Sequence, residues 1–202
     1  MRIISNLLMA IGVIAIIVFI FVMVGYGLFT STPDMKDQIG EPVVSADAAA
    51  SYEEKYSTFV NDIEDSAIEG VKKEVSVTFT SEEVSSKIVE LMAEGTFPFK
   101  EMRIGFRQGE CWLYFVTDTF GANAKIGMIL RPSIQNGDVR VEMVDFNVGK
   151  LPLPKSFDKD IESFVNVLVN MENPANDMPL VLTSVSVGDG TFTLKGMTQP
   201  AE

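Results

Sequence analysis

The sequence predicts an α+β fold: an N-terminal transmembrane helix, then a mainly antiparallel curved sheet of about six to seven strands packed against two or three helices. Three observations predict it. The run from Leu7 to Phe29 (LLMAIGVIAIIVFIFVMVGYGLF) carries no charge. Beyond it, runs with apolar residues at every second position are joined by turn residues, as in hairpins. Between those runs lie segments whose apolar residues recur at i, i+4, i+7 and i+8, which is one face of a helix. Hairpin-linked strands pair antiparallel, and the helices then gather on one face of the sheet.

A helix over residues 7–29 reaches roughly 34 Å at about 1.5 Å per residue, enough to cross a hydrocarbon core of about 30 Å. A cleaved secretory signal has a shorter apolar core and a small-residue A-x-A site, and Gly25-Tyr26-Gly27-Leu28-Phe29-Thr30 offers none. Residues 1–29 are therefore expected to be an uncleaved signal-anchor. Arg2 on the short side, with no basic excess among Asp34, Lys36, Asp37 and Glu41, favours a cytoplasmic N-terminus and an extracytoplasmic C-terminal domain. Residues 30–48 (TSTPDMKDQIGEPVVSADA) carry proline, glycine and mixed charge without periodicity and read as a linker.

In residues 49–70, Tyr52, Tyr56, Phe59, Val60, Ile63 and Ala67 mark one face of a helix that Gly70 closes. Residues 71–202 form the main domain. Val75, Val77 and Phe79 alternate in a strand over Glu74–Thr80. Thr80 and Glu83 then make a capping box, the start of a helix whose stripe is Val84, Ile88, Leu91 and Met92. Glu82 and Glu83 sit in its first turn, where the helix dipole favours carboxylates whatever the function. Four strand-like runs follow between Lys100 and Val148, with turns at Gln108-Gly109, Gly121-Ala122 and Asn136-Gly137. The apolar phase slips at Met143–Val144, which predicts a bulge or a sharp coil, as where a sheet wraps around something. Pro152 and Pro154 end that strand. Ser156 can then cap a helix with Phe157, Ile161, Phe164, Val165 and Leu168 on one face, which the hinge is expected to deliver to the sheet. A last hairpin, 180–187 and 191–196, turns at Gly188-Asp189-Gly190.

The charge balance, 16 basic against 28 acidic residues, is unsuited to nucleic acid, whose phosphates are bound by Lys and Arg. Without histidine the commonest general base and metal ligand is missing, and a lone Cys111 in an apolar strand reads as a core thiol. No zinc-ligand cluster, P-loop, dinucleotide fingerprint or EF-hand loop occurs. The sequence thus points to no catalytic residue, no metal site and no cofactor, and to a protein that is not an enzyme.

What remains is apolar surface. Trp112, Tyr114 and Val116 share one parity of a strand, and Cys111, Leu113 and Phe115 the other, so both faces are greasy. Such a strand needs either a second covering layer or a hydrophobic ligand.

The segments VTFTSEEVSSKIVELM, LRPSIQNGDVRVEMVDFNVGKLPLPKSF and LTSVSVGDGTFTLKG, within residues 71–197, together with the anchor, resemble the YpmS-like group of bacterial membrane-anchored proteins. That resemblance implies a capped helix, a strand pair ending in G-x-L-P-L-P, a helix and a closing D-G hairpin, with no assigned reaction. More distantly the layout is similar to LmeA-like and TULIP-like lipid-binding domains, which implies a curved sheet wrapped around a long helix.

Two functional readings follow. In the first, the domain binds or senses lipid or another hydrophobic ligand in a groove lined by Val84, Ile88, Leu91, Met92, Trp112, Tyr114, Phe157, Ile161, Phe164, Val165 and Leu168. In the second, it is a structural or interaction subunit of a membrane-associated assembly, and the helix over 49–70 docks a membrane protein or a second copy through Tyr52, Tyr56 and Phe59.

Overall fold

The computed structural model describes residues 23–95, 99–119, 122–171 and 178–200. Most of the span expected over 7–29 lies outside the described residues. Residues 23–30 are helical, and among the described residues no helix is long and apolar enough to cross a membrane. Besides that helical segment, the described residues form a mixed fold of four helices and seven strands: α1 (Met35–Ile39), α2 (Ala46–Ile68), β1 (Glu74–Thr80), α3 (Ser81–Ala93), β2 (Phe99–Arg107), β3 (Glu110–Thr119), β4 (Ala122–Gln135), β5 (Asp138–Val148), α4 (Ser156–Met171), β6 (Leu180–Gly188) and β7 (Thr191–Thr198).

The strands make two antiparallel sheets, not the single curved sheet expected: β1-β7-β6 and β2-β3-β4-β5. Local hairpin logic holds within each. The split arises because β1 takes its partner from the far end of the chain, with Val77 opposite Leu194 and Phe79 opposite Phe192. Helix α3 then carries the chain away before β2 begins the second sheet. The sheets meet where the β2–β3 and β6–β7 turns exchange main-chain bonds, Gly109 N–H to the Val187 carbonyl (2.8 Å) and Gly190 N–H to the Phe106 carbonyl (2.9 Å).

The three-stranded sheet carries the main core. Val75, Val77 and Phe79 alternate inward, joined by Leu180 and Leu182. Helix α2 covers them with Phe59 and Ile63, the latter wholly buried, each side chain stabilising the fold by about 2–3 kcal/mol through apolar burial. Tyr52 stacks on Phe79 at 4.5 Å. The β4–β5 hairpin adds Ile134 and Val139 from the second sheet. Its tip, Asn136-Gly137, has φ of 56° and 88°, the left-handed pair that a two-residue turn between twisted strands requires. The phase slip seen in the sequence is a register shift: Ile129 faces Asp145, Leu130 faces Met143, and Val144 is left over.

Within the stretch read as a linker, α1 seats on the four-stranded sheet. Two glycines, on the strands either side of β3, make room. A Cβ at Gly105 would lie 3.4 Å from Ile39, and one at Gly127 would lie 3.0 Å from the Met35 sulfur. Between them Tyr114 is fully buried, with Lys36 Nζ 5.2 Å above its ring. Burial, with the nearby Glu101 carboxylate, pushes the Tyr114 phenol up to about 12. Arg103 donates to the Gly40 carbonyl (2.8 Å) and pairs with Glu41 (3.0 Å), and Arg107 donates to the Gln38 carbonyl. Gly127→Val is expected to overpack this contact, lowering stability by about 1–2 kcal/mol and exposing residues 35–40 to limited proteolysis.

Candidate functional site

On the face of the four-stranded sheet opposite α1, apolar side chains stand in cross-strand rows. Met102, Phe115, Ile126 and Val148 form the first row and Ile104, Leu113, Met128 and Phe146 the second. Phe106, Cys111, Leu130 and Met143 form the third. Neighbours in such a row stand about 5 Å apart, so the strip is continuous. Phe106 and Met143 are buried; the other ten remain partly exposed. At the Phe106 end the strip abuts the main core through Phe192, ring centroids 5.7 Å apart.

Two helices border the strip. Helix α3 packs against α2, β1 and β2. Its capping box forms as the sequence predicts, Glu83 N–H to Thr80 Oγ1 (3.1 Å) and Thr80 N–H to Glu83 Oε2 (2.8 Å). Glu83 does more than cap. It accepts from Ser51 (2.6 Å) and Lys55 (2.9 Å), fastening α3 to α2. Burial alone would raise its carboxyl; these bonds and that from the Thr80 N–H outweigh it and bring it down to about 2. Of the stripe on α3, Ile88 is buried, Val84 packs against the main core, and Leu91 and Met92 stay partly exposed.

Helix α4 borders the strip along β5, and its orientation corrects the expectation. The apolar face was to pack on the sheet. Instead the polar side docks: Asn166 accepts from the Val141 N–H (2.8 Å) and donates to the Val141 carbonyl (2.7 Å), while Glu162 accepts from the Met143 N–H (2.8 Å). The physical reason is the edge of β5, whose outward main-chain groups need partners that only polar side chains supply. Phe164, on the opposite side of the helix at 100° per residue, is 59 % exposed and Val167 is 57 % exposed; Ile161 and Val165, on the flank between, are half-buried. The side chains of Phe157 and Leu168 lie outside the described residues.

Leu91 and Met92 thus belong to a helix at one border of the strip and Ile161, Phe164 and Val165 to a helix at the other. Trp112 and Tyr114 do not join them, because strand alternation puts them beneath α1. Trp112 lines a separate, polar cleft of about 340 Å³ with Asp34, Ile129, Asp145, Asn147 and Lys150. The residues missed were Leu113, Phe115, Ile126, Met128 and Phe146. Their alternation was visible; which parity α1 would cover was not. Of the three residues expected to form a partner-binding face on α2, Phe59 is in the core and Tyr52 is packed on Phe79, while Tyr56 stacks on Tyr52 at 6.3 Å and stays exposed. Phe59 and Tyr52 are thus taken up by the protein's own sheet. Cys111 lies within the strip, where burial pushes its thiol up to about 12, so it is protonated at neutral pH.

No family model matches the chain and no curated protein matches it. The site is therefore read on its own geometry.

Proposed function

We propose that this protein is a membrane-anchored, extracytoplasmic, non-enzymatic module that binds or senses lipid or another hydrophobic ligand, held on the apolar strip between α3 and α4. One observation carries the reading. Helix α4 docks on the β5 edge through Glu162 and Asn166 and leaves Phe164 and Val167 open, and the sheet it docks on carries ten partly exposed apolar side chains. A soluble domain rarely leaves so contiguous an apolar surface without something to cover it. A site of this kind takes a ligand by burying hydrocarbon, at about 0.8 kcal/mol per CH₂, and needs no charged residue in its floor. The uncharged run over 7–29 supports the anchor and orientation, and the sequence resemblance to YpmS-like proteins agrees with both.

Native mass spectrometry of the full chain, released from mild detergent, tests the reading. Lipid-mass adducts that survive detergent removal are expected. They should fall at least tenfold in a Leu113→Asp, Met128→Asp double variant, which sets two carboxylates side by side in the strip. A clean unliganded mass, or adducts indifferent to that variant, contradicts it.

A further inference from the structure

The uncharged run does not lead into a free tether. Its helix ends at Thr30, and the last turn is completed by the stretch that follows β5, residues 149–155 (GKLPLPK). Thr30 Oγ1 donates to the Tyr26 carbonyl (3.0 Å), while the Leu28 carbonyl accepts from Ser31 Oγ (2.5 Å) and from the Lys150 N–H (2.8 Å). Helix ends leave such carbonyls unpaired, so the Lys150 N–H serves as a C-terminal cap supplied from far along the chain. Gly149 permits the approach: its φ is 59°, and a Cβ there would collide with the Leu28 and Phe29 main chain. Lys150 Nζ pairs with Asp34 (3.1 Å), Lys125 Nζ reaches Thr32 Oγ1 (3.0 Å), and Leu151 lines the polar cleft beside Pro33. This clasp lies on the α1 side of the sheet, opposite the apolar strip.

We infer that residues 149–155 are the domain's membrane-contact edge, resting in the headgroup layer of an anionic bilayer beside the exit of the anchor. The inference rests on the anchor reading above and does not need the ligand one. Distance argues for it. About 20 residues cross a hydrocarbon core of about 30 Å, and the twentieth of the run that starts at Leu7 is Tyr26. Tyr26 is 55 % exposed, with Met23 and Val24 exposed before it, and so sets an aromatic ring at the level where such rings collect. Leu28 lies about 3 Å farther along the axis, inside a headgroup layer about 5–7 Å deep. Chemistry argues the same way. Pro152 and Pro154 have no N–H, and that of Leu151 is taken by the Val148 carbonyl (3.1 Å), so few donors lose water when Leu151 and Leu153 enter the layer. Lys150 and Lys155 flank them with no carboxylate between, in a chain of 28 acidic and 16 basic residues. Lysines so placed keep their ammonium groups among lipid phosphates while the apolar residues sit deeper.

The test uses the full chain with Cys111→Ser and one NBD-labelled cysteine, in phosphatidylcholine–phosphatidylglycerol vesicles containing a phospholipid spin-labelled near its headgroup as quencher. Leu153→Cys reports on the hinge, and Pro152→Cys, at a position already exposed, repeats the reading should the first change disturb folding. Asp189→Cys is the reference, exposed in the β6–β7 turn that bonds to the opposite end of the four-stranded sheet, roughly 20 Å away along the strands. Quenching at 153 or 152 is expected to exceed that at 189 at least fivefold, and to fall at least threefold without phosphatidylglycerol or with Lys155→Glu. Equal quenching at hinge and reference, in protein that alkaline carbonate does not extract, overturns the contact and leaves the anchor standing. Quenching indifferent to phosphatidylglycerol and to Lys155→Glu overturns the anionic surface as occupant. A blue-shifted label that the lipid does not quench marks a protein or a second copy on the hinge and overturns it too. Extraction by carbonate overturns the anchor reading itself.

Discussion

Replacing Asn166 by Leu is expected to detach α4 from β5. The substitution removes the acceptor for the Val141 N–H and the donor to its carbonyl, and puts an apolar side chain against a strand edge. Leaving a buried donor and acceptor unmatched costs about 1–3 kcal/mol for each group, so the docked state loses most of its advantage. Water can satisfy the edge once the helix lifts, so the damage is local and the main core stays folded. Hydrogen exchange should show the Val141 and Met143 amides losing protection by two or more orders of magnitude, while Val75 and Val77 in the main core keep theirs. The helix is also expected to roll, since the introduced leucine extends its apolar face towards the sheet. Ligand occupancy should then drop, because α4 is no longer held along the β5 border of the strip.

The second large effect falls on Glu83. Its side chain is buried and holds three donors: the Thr80 N–H, Ser51 and Lys55. Glu83→Ala removes half the capping box and the α2–α3 fastening together, an expected loss of about 2–4 kcal/mol. Glu83→Gln keeps a cap but loses the charge, and about half that loss is expected. The pH dependence has a definite sign. A carboxyl held at about 2 in the folded chain and near 4.5 when unfolded contributes stability fully present above pH 4.5 and lost as pH falls through 2. Lys55 is 39 % exposed, so solvent screening trims that contribution to about 2 kcal/mol. Urea titrations across pH 2–7 should show the wild-type advantage over Glu83→Gln shrinking through that window; a constant gap would mean the carboxylate is not the source.

These two residues mark what the sequence could and could not disclose. The capping box was legible because both members lie within one helical turn and nothing distant is needed to form it. The bulge at Val144 was legible because a phase slip leaves no other way to keep Met143 and Phe146 on one face. The attachment of Glu83 to α2 was hidden, since Ser51 and Lys55 are 32 and 28 residues away. Helix α1 was hidden for a related reason. Five residues give no periodic signal, and it is held by contacts from Arg103, Gly105 and Gly127, far along the chain. The orientation of α4 was misread because periodicity reveals that a helix is two-sided, not which side a neighbouring edge strand will claim. The amide at Asn166 and the carboxylate at Glu162 matched unpaired main-chain groups, and that matching overrode the apolar moment. The split into two sheets depends on β1 meeting β7 across more than a hundred residues, which no local pattern encodes.

The account depends on α4 turning its apolar side away from the strand it docks on. Maleimide labelling of a single cysteine at position 164, made as Phe164→Cys with Cys111→Ser, measures this most directly. In lipid-free protein the reaction should run close to the rate of the urea-unfolded chain, and adding lipid should slow it at least tenfold. Slow labelling without lipid, unchanged when lipid is added, would mean that the apolar side is seated on the sheet and would contradict the account.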